Sequence, residues 1–150
     1  MSDLRDLYQD VILDHSKRPR NYRKLADATY TAVGHNPLCG DKLAVYLQVT
    51  DGVVREATFQ GDGCAISKAS ASMMTEAVHG KTVAEAEAIF ESFQKLLTAS
   101  CDAELPDEDM GKLEAFSGVR EFPARVKCAT LAWHTVHSAL AGAREPISTE

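Results

Sequence analysis

No apolar run in this 150-residue chain approaches the ~20 residues that a membrane-spanning helix requires, so no membrane is expected as a partner. The first residues intersperse Asp3, Arg5, Asp6 and Asp10 among apolar ones, which argues against a signal peptide. Basic residues are in deficit, with a net charge of −6. Binding nucleic acid needs clustered cations, so no nucleic acid is expected either. The one basic run, Lys17-Arg18-Pro19-Arg20 with Arg23 and Lys24, is short and reads as a solvated connector. Cysteine is scarce and scattered, with four in the chain. That excludes a dense disulfide framework and favours metal binding or catalysis in a reducing, cytoplasmic setting. A chain of this length buries a core without crosslinks, and residues 1–150 fit a single domain.

The periodicities divide the chain into elements. Leu4, Leu7, Tyr8, Val11, Ile12 and His15 follow helical spacing, predicting a helix over about 3–15. Residues 29–33, 43–50 and 53–59 alternate and are rich in Val, Thr, Tyr and Phe, predicting three antiparallel strands. Asp51-Gly52 between the last two is a hairpin turn. Helices are predicted over 65–79, capped by Gly80, and through 98 from the capping box of Thr82 and Glu85. Residues 100–109 read as an acidic connector, and Pro106 with Asp107, Glu108 and Asp109 as the opening of a short helix to Phe116. Pro123 reads as a break, residues 128–141 as a last helix, and the tail around Pro146 as frayed. The expected fold class is α+β: a small three-stranded antiparallel sheet covered by helices.

What is present, against this spare background, is a set of cysteines at turns. Cys39 lies in Asn36-Pro37-Leu38-Cys39-Gly40-Asp41, Cys64 in Gly61-Asp62-Gly63-Cys64-Ala65, and Cys128 in Pro123-Ala124-Arg125-Val126-Lys127-Cys128. Asp41 stands two residues after Cys39, so on an extended segment both point to one side. Gly40 between them allows a tight turn. Cys64 and Cys128 are each expected to open a helix, where the positive dipole end favours a thiolate. Three thiolates and a carboxylate suffice for one tetrahedral zinc or for the rim of an iron–sulfur cluster. A single free cysteine is most often a small buried hydrophobe, but three at element junctions point to a shared metal.

These stretches, extended through Ile66-Ser67 and Ala129-Thr130-Leu131-Ala132, resemble the three signatures of the IscU/NifU-N scaffold superfamily, and the resemblance runs from the first helix to the last. It implies a SufE/NifU-like fold and a single site of three cysteines and one aspartate that holds zinc or assembles a 2Fe-2S cluster. Cluster scaffolds of the IscU type carry histidine before the third cysteine, where this chain has Lys127. Extra sequence around Ser100 to Lys112 also resembles the SufU branch. Members of that branch are zinc-dependent sulfurtransferases that accept persulfide sulfur from a PLP-dependent, SufS-type cysteine desulfurase. By position, the implied ligands are Cys39, Asp41, Cys64 and Cys128, with Cys39 as the sulfur acceptor. A SufBCD-type cluster scaffold is the implied onward partner.

Arg125 and Lys127 beside Cys128 either stabilise an anionic persulfide or form an ordinary solvated pair. A protonated lysine is a poor metal ligand, which argues against a histidine-assisted cluster site. His134 and His137 lie about 240° and 180° around the helix from Cys128 and are expected to face away. His35 is a reserve ligand, and Cys101, without a signature, reads as a free surface or half-buried thiol. Ala69, Ser70 and Ser72 read as a close-packing face, and Met73 and Met74 as core. A Cys–His nucleophilic enzyme would leave the other turn cysteines and Asp41 without a role. Two alternatives to the relay remain: a scaffold for a transient 2Fe-2S cluster, and a protein whose zinc is only structural.

Overall fold

The computed structural model describes residues 2–36, 40–98, 116, 123–140 and 147–148. Helix α1 (Ser2–Lys17) leads into strands β1 (Tyr30–Asn36), β2 (Asp41–Thr50) and β3 (Val53–Asp62). Helices α2 (Ala65–Val78), α3 (Val83–Thr98) and α4 (Pro123–Leu140) follow, and a two-residue strand β4 (Ile147–Ser148) comes last. The expected α+β class holds, with the three predicted strands forming an antiparallel core in the order β3-β2-β1. The tail departs from expectation: β4 adds to the free edge of β1 in parallel, through Gly34↔Ile147 and His35↔Ser148.

The β2–β3 hairpin turns on Asp51 and Gly52, both at positive φ (54° and 74°), the conformation that a two-residue turn between twisted strands requires. Alternation buries Leu43, Val45 and Leu47 of β2 and Ala57 and Phe59 of β3 against the helices. Met73 and Met74 of α2 join this core, as expected, along with Trp133 of α4 and Phe93 of α3. The Trp133 and Phe93 rings stack with centroids 4.8 Å apart. Phe116, buried, meets Phe93 edge-on at 5.7 Å. The rest of the acidic connector and predicted short helix, including Cys101, lies outside the described residues.

Ser70 and Ser72 are fully buried in α2, but they act as hydrogen-bond hubs as well as small packing residues. The Ser70 hydroxyl donates to the Ala129 carbonyl of α4 and accepts from Trp133 Nε1 at 3.2 Å. Ser72 Oγ accepts from the Arg20 amide at 2.8 Å and lies 2.7 Å from Nδ1 of buried His15. Buried hydroxyls need partners, and here the partners belong to α1, its connector and α4. The basic segment is accordingly less solvated than expected. Arg20 pairs with Asp14 and Arg23 with Glu56, each at 2.6 Å.

The Thr82–Glu85 capping box is present: Thr82 N donates to Glu85 Oε1 at 3.0 Å and Glu85 N to Thr82 Oγ1 at 3.1 Å. Helix α4 begins five residues earlier than expected, at Pro123 rather than Cys128. The reason is that proline, which breaks a helix interior, suits the first helical position, where its missing N–H has no intrahelical partner to lose.

A candidate metal centre where two strands and two helices converge

Residues 37–40 separate the end of β1 from the start of β2. Their flanking residues, Asn36 and Asp41, are direct cross-strand partners. Partners in an antiparallel pair share a face, and both side chains are fully buried (0% exposed). Asp41 reaches the tip of α2. Its Oδ1 accepts from the Cys64 amide at 2.8 Å, and its Oδ2 lies 3.8 Å from Cys64 Sγ. The carboxylate therefore uses one oxygen on the backbone and turns the other toward sulfur. A side chain at residue 63 would press on this clasp, since a Cβ on Gly63 would fall 2.7 Å from Asp41 Oδ1. Glycine is required there for close approach.

Cys64 is the N-cap of α2, with extended backbone at φ −69° and ψ 168°. Its Sγ accepts from the Ser67 amide at 3.4 Å, one of the donors that a helix start leaves without an intrahelical partner. Cys64 thus stands where the sequence predicts. Cys128 does not. The early start of α4 puts it at the sixth helical position, clear of the free N–H groups of the first turn. Its Sγ, in a residue only 3% exposed, instead receives a side-chain donor: Asn36 Nδ2, at 3.8 Å.

The ligand atoms of Asp41, Cys64 and Cys128 all lie within 4.8 Å of one another. Sulfurs bound at about 2.3 Å to a tetrahedral zinc sit about 3.8 Å apart, so sub-ångström to ångström adjustments would bring these atoms around one ion. The donor set is also soft enough for zinc or iron–sulfur chemistry, and the residues present fit such a group. Cys39 lies outside the described residues. His35 is exposed while its neighbours Gly34 and Asn36 are buried, so strand alternation turns it from the cluster, and it is not among the gathered ligands. Arg125 is exposed and Lys127 half-buried. At three residues from Cys128, Arg125 shares its helical face, whereas Lys127, adjacent in sequence, does not.

His134 and His137 turn away from Cys128, as expected, and lie against α3. Their rings lie 5.2 and 5.1 Å from Phe90, and His137 Nδ1 is 3.8 Å from Glu87. Burial, with a smaller contribution from the His137 charge, holds His134 below the usual histidine pKa. Sequence reasoning assigned no role to Asn36. Its signal was slight: a polar residue before proline reads as a turn, although a fully buried amide must have a partner.

An α+β protein with a sulfur-and-carboxylate corner at one end of its sheet is the class that this fold and geometry define. The chain belongs to the NifU-like N-terminal domain family, whose model matches residues 7–141. It is 40% identical over 141 residues to the zinc-dependent sulfurtransferase SufU of Bacillus subtilis (strain 168), covering 93% of each protein. It is 41% identical over 137 residues to the iron–sulfur cluster assembly scaffold protein IscU of Thermotoga maritima, covering 89% of this chain and 92% of that one. Among solved structures, the N-terminal part of a nitrogen-fixing NifU-like protein from Brucella abortus superposes with a TM-score of 0.80 at 28% identity, covering 92% of this chain and 94% of that one.

Proposed function

We propose that this protein is a zinc-dependent sulfurtransferase of iron–sulfur cluster assembly, working in the cytoplasm with a SufS-type, PLP-dependent cysteine desulfurase. The convergence of Asp41, Cys64 and Cys128 within 4.8 Å is the observation that carries this reading. Likeness to SufU and the lysine at position 127 favour it over cluster building. The ligands are Cys39, Asp41, Cys64 and Cys128. Bound zinc supplies a redox-inert Lewis acid that holds the thiols ionised and out of disulfides.

Cys39 is the sulfur acceptor. Its thiolate attacks the terminal sulfur of the desulfurase persulfide. A new sulfur–sulfur bond forms on Cys39, the old one breaks, and the desulfurase cysteine leaves as thiolate. The transferred sulfur arrives as S–H and then gives its proton to solvent, leaving an anionic persulfide on Cys39, and no outside oxidant or reductant enters. Cys64 and Cys128, set in α2 and α4, stay as anchors. Arg125, on the Cys128 face of α4, stabilises the anionic persulfide, with Lys127 contributing more remotely. A SufBCD-type scaffold then takes the sulfur.

Metal analysis combined with a desulfurase assay tests this. The expected result is colourless protein with about one zinc per chain that accelerates desulfurase turnover in catalytic amounts. Cys39→Ser should abolish the acceleration while leaving thermal unfolding nearly unchanged. Equal loss of folding and transfer would assign the metal a purely structural role. The likeness to IscU favours a second reading, a scaffold that assembles and passes on a 2Fe-2S cluster. Brown protein with cluster absorbance and no effect on the desulfurase would select it.

A further inference from the structure

Cys128 faces a problem that Cys64 does not. Cys128 is the sixth residue of α4, so its own backbone N–H is not one of the free amides of the first turn. Yet its sulfur has to point at the convergence of Asp41 and Cys64. One donor that reaches it comes from 92 residues away: Asn36, whose Nδ2 lies 3.8 Å from Cys128 Sγ, a length that the large sulfur atom permits. Asn36 is held rigidly for the task. It is fully buried, ends β1, and is the ladder partner of Asp41. Two residues earlier, Gly34 brings the β1 backbone so close to α4 that a Cβ there would collide with Thr135 Oγ1 and touch Leu131 Cδ1. The β1-to-α4 spacing that Asn36 spans is therefore fixed by direct packing.

We propose that Asn36 is a positioning residue of the metal centre: its side-chain amide aims Cys128 Sγ at the shared ligand point and keeps this cysteine as a fixed anchor. The inference rests on the zinc reading above. The two residues flanking positions 37–40 then grip one anchoring sulfur each, Asp41 on the α2 side and Asn36 on the α4 side. An amide suits the role because it donates to sulfur, whereas a carboxylate would set like charge against a thiolate. Partners of this kind behind a metal ligand govern affinity by about 10- to 100-fold.

The test is a chelator-competition titration with zinc, together with the thiolate-to-cobalt charge-transfer spectrum of cobalt-loaded protein, for wild type, Asn36→Ala, Asn36→Asp and Asn36→Ser. Circular dichroism and thermal melts monitor folding. Asn36→Ala should weaken zinc binding by about 10- to 100-fold and alter the cobalt spectrum. Asn36→Asp, nearly the same size, should do at least as much harm, and Asn36→Ser, which retains a shorter donor, should recover part of the loss. A purely space-filling role predicts that Asn36→Asp binds like wild type. If wild type binds zinc and folded Asn36 variants bind it equally well with the same spectrum, this inference alone is overturned. If all three variants fail to fold, Asn36 belongs to the fold and the inference is also overturned. If wild type binds no zinc, the zinc reading fails and takes the inference with it.

Discussion

Cys64 stands in front of α2 and Cys128 inside α4, and the two sulfurs are held by different means. The α2 wall is built from backbone: the Ser67 amide donates to Cys64 Sγ, and Asp41 Oδ1 takes the Cys64 amide. On the α4 side Cys128 lies past the free N–H groups of the first turn, and its sulfur takes a side-chain donor, Asn36 from β1. A ligand at a helix tip inherits its donors from helix geometry, whereas a ligand in a helix interior depends on what packs beside it. The Ser67 contact with Cys64 is local in sequence, whereas the Asn36 contact with Cys128 depends on the strand-to-helix packing that brings residues 36 and 128 together.

Each wall can be damaged through a glycine. Gly34→Ala forces β1 off Thr135 and Leu131 of α4 and should destabilise the protein by ~1–3 kcal/mol, the usual cost of overpacking. Denaturant unfolding of metal-free protein measures this, and zinc binding should weaken in parallel because Asn36 moves with β1. Gly63→Ala should act more narrowly. It disturbs the Asp41–Cys64 clasp at the sheet end, so zinc affinity should fall at least about tenfold while the melting temperature of metal-free protein changes less.

Cys64→Ala and Cys64→Ser refine the α2 side. Both remove a soft ligand, but serine is itself a good N-cap. Metal-free Cys64→Ser should therefore be more stable than Cys64→Ala by ~1 kcal/mol, with both equally poor at binding zinc. Equal stabilities would show that Cys64 contributes nothing as a cap. The smallest expected effect lies on the side of α4 that meets α3. Burial depresses the His134 pKa, so the unfolded chain protonates first as pH falls. The stability tied to neutral His134 is fully present above about pH 6.5 and is lost as pH drops below it toward the folded-state value. His134→Phe should show a smaller drop in melting temperature between pH 7.5 and 5.5 than wild type.

The same contrast explains what was legible in the sequence. The Asp51-Gly52 turn, the Thr82–Glu85 box and the capping place of Cys64 each rest on a few adjacent residues, and each stands as read. The meeting of Asp41, Cys64 and Cys128 was legible first from their places at turns and element junctions, and more specifically from motifs that resemble a family. Pro123 misled because proline both stops helices and starts them, and the choice depends on neighbours in space. Asn36 carried no visible role, and Ser70 and Ser72 only a packing one, because their partners, Cys128, Ala129, Trp133, Arg20 and His15, are tens of residues distant. The pairing of β4 with β1 was hidden for a similar reason, since two residues are too short a stretch to show alternation.

The opposition of Asn36 and Asp41 makes the β1–β2 ladder a ruler for the centre. A slip of one rung would swing a whole strand's side chains to the opposite side of the sheet, removing one grip or the other at a stroke. Lengthening the segment between the two residues would leave both handles where they are, whereas inserting a single residue within either strand would not. Tolerance to insertion should therefore change abruptly at positions 36 and 41, and scanning it would locate the centre's frame without any metal in the tube.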